Sequence, residues 1–318
     1  MLNTIIKKYP DCNSSLIKFM NSNDTYINLY NLLNINLFDT SLRDGLQNIK
    51  SNLIQIYTTE NKIKLYNEII YKYNPDELEI GSIISEKFYP IFNDTLELFE
   101  KINDKNKNYI LVPSLSKLNI ILNSNCCNFS FISSVSESFQ FKNTKKTLKQ
   151  TKNEILEMIN IISSQSSIEN HKFKIYLSCV DTCPIEGNIS NDFIVNEIIY
   201  YNKIVKSKII CLSDTCGLLN YDNFIDIITK INKAGISNEI ISLHLHNDMT
   251  NPYFYENLQK IFNYSIDVGI RKFDISMLDT GGCTITIGNK NTKSNLSYEL
   301  YYKLIVDYII SKSNTINI

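Results

Sequence analysis

Ile240-Ile241-Ser242-Leu243-His244-Leu245-His246-Asn247-Asp248 is the stretch from which the fold can be read. Its first half is largely apolar, as a buried strand requires, and its end turns abruptly polar. The chain holds three histidines, and two of them stand here, two residues apart. Side chains at i and i+2 of a strand leave from one face, so both imidazoles point the same way. Two imidazoles at a strand end make half of a metal site, although a hydrogen-bonded structural pair would look the same in isolation. The distinction rests on whether other strand ends bring oxygen ligands to the same place.

Segments of the same kind recur on either side. Strands are expected at 35–39, 77–81, 108–112, 127–133, 173–179, 208–213, 240–246 and 271–276. Helices are expected at 60–73, 86–102, 115–123, 150–164, 191–206, 221–234, 251–266 and 296–311. This alternation predicts an α/β fold, a (β/α)8 TIM barrel forming the catalytic domain over residues 35–318. An irregular, polar N-terminal extension over 1–34 precedes it, with a short helical stretch near Leu16–Met20. A doubly wound open sheet is the alternative, but it favours a glycine-rich phosphate turn after the first strand, where Gly45 stands alone.

Composition narrows the function classes. With 318 residues, 43% hydrophobic and 20% charged, the chain reads as a soluble globular protein. A net charge of −1 leaves no basic footprint for nucleic acid, and no apolar run is long enough to span a bilayer. Neither nucleic acid nor membrane is therefore an expected partner. The eight cysteines are scattered, and Cys179-Val-Asp-Thr-Cys183 and Cys211-Leu-Ser-Asp-Thr-Cys216 lack zinc-knuckle spacing. Reduced thiols in the cytoplasm are expected. The N-terminal residues lack the apolar core of a secretory signal, while an organellar address stays open.

In a barrel, active sites form at the C-terminal strand ends, and this chain concentrates polar residues there. Strand one runs into Asp39-Thr40-Ser41-Leu42-Arg43-Asp44-Gly45-Leu46-Gln47. Arg43 can stabilise a developing enolate oxygen or clamp a carboxylate, and Asp44 can bind a cation or move a proton; a rim salt bridge is the plainer reading. Glu79 lies in an apolar strand and needs a partner, for which Arg43 is the candidate. Asp214, in Ser213-Asp214-Thr215, either orients a histidine or caps the helix that follows. Cys283 follows Gly281-Gly282, a loop able to approach a ligand closely, and is a candidate catalytic thiol or a chance turn residue. Asn295 would complete a set with Asp44, His244 and His246. Two imidazoles and two oxygens suit Mg2+ or Mn2+ better than a closed structural zinc.

These motifs, in this order, resemble those of hydroxymethylglutaryl-CoA lyases. Leu42-Arg-Asp-Gly-Leu-Gln-Asn48 resembles the RDGLQ segment, Glu79-Ile-Gly-Ser-Ile-Ile-Ser-Glu-Lys87 the glutamate stretch, and Ser178-Cys-Val-Asp-Thr-Cys-Pro-Ile-Glu-Gly187 the S-C-x-x-x-C-P-x-E-G segment. Leu212-Ser-Asp-Thr-Cys-Gly217, Leu243-His-Leu-His-Asn247 and Gly281-Gly282-Cys283 resemble the remaining three. The resemblance covers residues 35–311. It implies a TIM barrel with metal ligands at Asp44, His244, His246 and an asparagine. It further implies catalytic roles for Arg43, Asp44, Glu79, Asp214, His244 and Cys283, and a cofactor-binding role for Gln47. The implied reaction cleaves a 3-hydroxy-3-methylglutaryl-CoA thioester to acetyl-CoA and acetoacetate. An acyl-CoA is thus the expected small-molecule partner, and a homodimer the expected assembly.

Two departures stand out. The stretch from Thr284 to Asn295 is about three residues longer than in the family, so that Asn291 and Asn289 compete with Asn295 as fourth ligand. The family usually continues with a segment that helps hold CoA, whereas this sequence ends soon after the last predicted helix. The D-T-[TS]-L-R-D-G opening is also similar to that of isopropylmalate and homocitrate synthases, which makes a Claisen-type condensing enzyme the alternative. A non-catalytic barrel kept for binding is a third reading.

Overall fold

The computed structural model describes residues 30–165, 171–206, 208–248, 251–278, 280–282 and 293–315. Most of the predicted extension, including Leu16–Met20, lies outside these residues, as do Cys283, Asn289 and Asn291.

Eight strands form the sheet: β1 (Asn36–Asp39), β2 (Glu77–Ser82), β3 (Asn108–Leu111), β4 (Asn128–Ser134), β5 (Lys172–Ser178), β6 (Lys208–Ser213), β7 (Ile241–His244) and β8 (Lys272–Ile275). Each pairs in parallel with its sequence neighbours, and β8 pairs with β1 to close the barrel. The helices between them are α1 (Thr59–Lys72), α2 (Thr95–Lys101), α3 (Leu115–Ile121), α4 (Leu148–Gln165), α5 (Asn191–Ile204), α6 (Tyr221–Lys233) and α7 (Phe254–Asp267), with α8 (Tyr298–Thr315) last. The TIM barrel expected from the sequence is the observed fold.

Local chemistry explains the elements. In α6, Phe224, Ile227, Ile228 and Ile231 recur at helical spacing and are completely buried against the sheet. Burial of each such isoleucine contributes about 1.5–3 kcal/mol. Asn220 caps this helix by accepting from Asp222 N and Asn223 N at 2.9 and 3.2 Å. Gly235, at φ +78°, ends it in a left-handed turn that a side chain would strain.

Two predicted elements differ from those observed, and one observed helix was not predicted. The helix expected over 86–102 is a 3-10 turn, Pro90–Phe92, followed by α2, because proline begins a turn but cannot continue one. A helix at Glu137–Thr144, capped by Ser136, lies between β4 and α4, where none was expected. The strand expected over 240–246 stops at His244. His246–Asn247 then turns away and pairs antiparallel with Ser294–Asn295.

Candidate metal centre

The C-terminal strand ends bring Asp44, His244 and His246 together. One ligand atom from each lies within 4.8 Å of the others, and all three residues are buried. They reach this point by different routes. Asp44 opens a one-turn helix, Asp44–Gln47, directly after β1. His244 is the last residue of β7. His246 arrives through the antiparallel pairing, which sets it opposite Asn295. The imidazole centroids lie 4.8 Å apart, with the rings nearly perpendicular at 80°.

Both rings are turned by bonds at Nδ1. His246 Nδ1 lies 2.7 Å from the Asp214 carbonyl oxygen, and His244 Nδ1 lies 3.2 Å from Asp274 Oδ2. His244 Nε2 faces Asp44 Oδ2 at 3.9 Å. His246 Nε2 and Asn295 Oδ1 are buried with no hydrogen-bond partner among the described residues. A buried lone pair without a donor is costly, so these two atoms are what a bound cation would satisfy. The donors are two imidazole nitrogens, a carboxylate and an amide oxygen, and this set fits a divalent cation. Asn295 is held there by donating to Asp44 Oδ2 at 2.8 Å.

Arg43 links the cation site to β2. Its Nη1 donates to Asp44 Oδ1 at 2.6 Å and to Gln47 Oε1 at 3.3 Å, and its Nε donates to Glu79 Oε2. The Tyr176 hydroxyl donates to the same Glu79 oxygen at 3.1 Å, and the guanidinium lies 5.1 Å from the Tyr176 ring centre. Burial alone would push the Asp44 carboxyl up; Arg43 and the two imidazoles outweigh it and hold it well below the usual carboxylate range. Burial, and then the neighbouring His244, push the His246 imidazolium down to about 4, so the ring is neutral at pH 7.

The closing loop touches the site through backbone. Gly282 N–H donates to Asp44 Oδ2 at 3.0 Å, and Asn48 Nδ2 holds the Gly281 carbonyl at 3.0 Å. Gly281 sits at φ +139°, and a Cβ there would meet the Asn295 amide and lie 2.9 Å from Asp44 Oδ2, so this approach requires glycine. A cavity of about 60 Å³ opens over the cluster, lined by Arg43, Asp44, Gln47, Tyr176, His244 and His246.

The predicted site residues are thus mostly gathered, with two qualifications. Asp214 contributes its backbone carbonyl to His246, while its carboxylate accepts from Leu218 N at 2.9 Å in the turn before α6; the helix itself is capped by Asn220, so the capping role weighed from the sequence is not the one observed. Burial pushes that carboxyl up to about 7. Cys283 lies outside the described residues. Asp274, Lys174 and Tyr176 were missed. Their signal was present: Lys172-Phe-Lys-Ile-Tyr-Leu-Ser178 and Lys272-Phe-Asp-Ile275 alternate polar and apolar where a parallel strand is usually apolar throughout.

A closed barrel with a buried Asp–His–His set at its C-terminal rim defines a TIM barrel with a candidate metal site. Residues 34–251 match the family described as HMGL-like. The chain is 23% identical over 259 residues to a mitochondrial hydroxymethylglutaryl-CoA lyase of Arabidopsis thaliana, covering 80% of this chain and 51% of that relative. It is also 23% identical over 261 residues to a 3-hydroxy-3-isohexenylglutaryl-CoA/hydroxy-methylglutaryl-CoA lyase of Pseudomonas aeruginosa, covering 80% of each. It therefore spans about half the length of the plant relative and four fifths of the bacterial one. A solved HMG-CoA lyase from Acinetobacter baumannii, in complex with coenzyme A and 3-methylmalate, has the same fold. Its TM-score is 0.70 at 24% identity, covering 88% of this chain and 84% of that one. The chain belongs to the HMGL-like family.

Proposed function

We propose that this protein cleaves the carbon–carbon bond of a 3-hydroxy-3-methylglutaryl-CoA-like thioester, giving acetyl-CoA and acetoacetate, with a divalent cation at the Asp44–His244–His246–Asn295 set. The observation that carries this reading is the convergence of three ligand atoms within 4.8 Å, directly beside the buried Arg43. A cation bound there supplies Lewis acidity toward the substrate's hydroxyl and carboxylate oxygens, which lowers the cost of an alkoxide. The other steps belong to the chain's own residues. The hydroxyl proton passes to the Asp44 carboxylate, and the C–C bond breaks to leave the enolate of the acetyl thioester. Arg43, pinned by Glu79 and Asp44, stabilises that enolate oxygen without reorganising. A thiol or imidazole, Cys283 or a histidine, returns a proton to the carbon. Gln47, on the cavity wall beside Arg43, contacts the bound thioester.

Acyl-CoA as substrate class is supported by the coenzyme A in the A. baumannii relative. Cytoplasmic placement is supported by Cys126, Cys127, Cys179, Cys183 and Cys211, which are free thiols. Among the described residues no helix is long and apolar enough to cross a membrane. We also propose a homodimer, checked by sedimentation.

The test is a panel of 3-hydroxyacyl-CoA thioesters incubated with Mg2+ or Mn2+, scored for acetoacetate and acetyl-CoA. Cleavage that disappears on chelation is expected. If no thioester in the panel is cleaved while acetyl-CoA and a 2-oxo acid release free CoA thiol, the lyase reading gives way to a condensing enzyme.

A further inference from the structure

The barrel interior contains an ion pair that the proposed chemistry does not use. Lys174 of β5 and Asp274 of β8 have side chains only 1% and 0% exposed, and Lys174 Nζ donates to Asp274 Oδ1. The ammonium sits 3.3 Å from the Phe38 ring centre and 5.0 Å from that of Tyr176, so aromatic faces supply the rest of its solvation. Asp274 Oδ2 faces His244 Nδ1 at 3.2 Å, with Cys211 Sγ at 3.6 Å. A buried ion pair is weak evidence for stability, because desolvation offsets most of the attraction and an apolar pair would often do as well. Its geometry, however, has a specific consequence for His244.

We infer that Lys174 and Asp274 are positioning residues that set the tautomer of His244, and so turn its Nε2 lone pair toward the cation; this rests on the metal reading of the Asp44–His244–His246 set. A carboxylate only accepts, so the ring nitrogen facing Asp274 must carry the proton. With Nδ1 protonated, the neutral ring has its lone pair on Nε2, the atom facing Asp44. Lys174 occupies the other carboxylate oxygen and supplies the balancing charge. His246 obtains the same tautomer from a backbone carbonyl, which no substitution can remove. The two imidazoles are therefore prepared by different means, and only that of His244 depends on distant side chains.

The arrangement makes a prediction of unusual sign. In Asp274→Asn, Lys174 can only donate, so it takes the amide oxygen and turns the amide N–H2 toward His244. A donor facing Nδ1 moves the ring proton to Nε2, where it blocks a ligand bond. Removing the lysine as well, in Lys174→Met/Asp274→Asn, frees the amide to rotate and offer its oxygen to Nδ1. Mn2+ affinity, followed by EPR titration, should fall about 10–100-fold in Asp274→Asn and recover most of that loss in the double variant. A merely structural role predicts the opposite order, since the double variant alters the interior more.

Nitrogen NMR of the apo protein provides a second readout, simplified by there being three histidines. The neutral His244 ring should carry its proton on Nδ1 in the parent and on Nε2 in Asp274→Asn. The inference is overturned by a folded Asp274→Asn with parental Mn2+ affinity, or by a double variant no better than the single. It is also overturned by a parent His244 protonated on Nε2, a result that decides the matter even where Asp274→Asn does not fold. A parent that binds no Mn2+ defeats the metal reading and this inference together. A parent that binds Mn2+ and cleaves thioesters, with affinity unchanged in Asp274→Asn, defeats this inference alone.

Discussion

The two buried faces of the sheet are built from opposite chemistry. Toward the helices, the strands present Phe173, Ile175 and Leu177 from β5, Ile210 and Leu212 from β6, and Leu243 from β7, all within one continuous apolar cluster. Toward the barrel axis the same strands present Lys174, Tyr176, Cys211 and His244. The apolar cluster inside is small: Leu111, Tyr176 and Cys211, with Ile132 against it. The outer face is large and non-directional, so it tolerates imprecise packing and contributes most of the stability. The inner face costs desolvation and gains direction, because each charge is held by named partners: Arg43 by Glu79 and Asp44, Asp274 by Lys174 and His244.

Substitutions on the two faces should therefore separate activity from stability. The largest effect is expected for Asp44→Ala, which removes a ligand and the partner of Arg43. Metal-dependent turnover should fall by about 10³-fold or more, the equivalent of several kcal/mol, while CD shows the barrel intact. Turnover within tenfold of the parent would show that the inner face does not carry the chemistry. On the helix side of the outer face, Ile228→Ala in α6 should destabilise by about 2–5 kcal/mol in urea unfolding, with kcat unchanged for the folded fraction. A matching drop in kcat would break the division.

Asp39 offers an intermediate case, since it points away from the axis yet is polar. It accepts from Ser41 N at 2.8 Å and from the Tyr298 hydroxyl at 2.8 Å, tying β1 to α8. Burial nevertheless pushes its carboxyl from 3.8 up to about 6. The folded chain holds this proton more tightly than the unfolded one, so the contribution is complete below about pH 4 and is lost as pH rises through about 6. Asp39→Asn removes the titration, and its stability curve should be flatter than the parent's by up to about 3 kcal/mol between pH 4 and 7. Parallel curves would place the proton elsewhere. The smallest effect is expected for Lys260→Ala on the exposed side of α7, paired with Glu256 at 2.6 Å. Melting temperature and kcat should both stay at parental values, because exposed pairs are screened by solvent.

How much of this was legible varies from residue to residue. Ile240–Asp248 announced a buried strand with a polar end, and Arg43-Asp44 announced a charged rim; local pattern suffices for both. Asn295 could be chosen over Asn291 only by analogy, whereas the pairing of His246 with Asn295 now explains its position. The two-residue spacing of the histidines correctly implied convergence, although its premise of one continuous strand fails at Leu245. Lys174 and Asp274 were legible as an alternation but not as partners. Asp214 shows the reverse: a carboxylate singled out in the sequence whose backbone carbonyl, and not its side chain, reaches His246.

The sequence by itself determined the order of strands and helices, the closed barrel they imply, and the polar residues that crowd one end of it. These follow from periodicity and burial, which act over a few neighbouring residues. Only the tertiary structure decided which polar atoms meet. Asp44 and Asn295 stand 251 positions apart and are joined by a single hydrogen bond. Lys174 and Asp274 stand 100 apart, on strands that are not neighbours in the sheet. Hydrogen bonds and ligand sets are short-ranged and directional, so their partners are assigned by closure of the barrel, which no local pattern encodes.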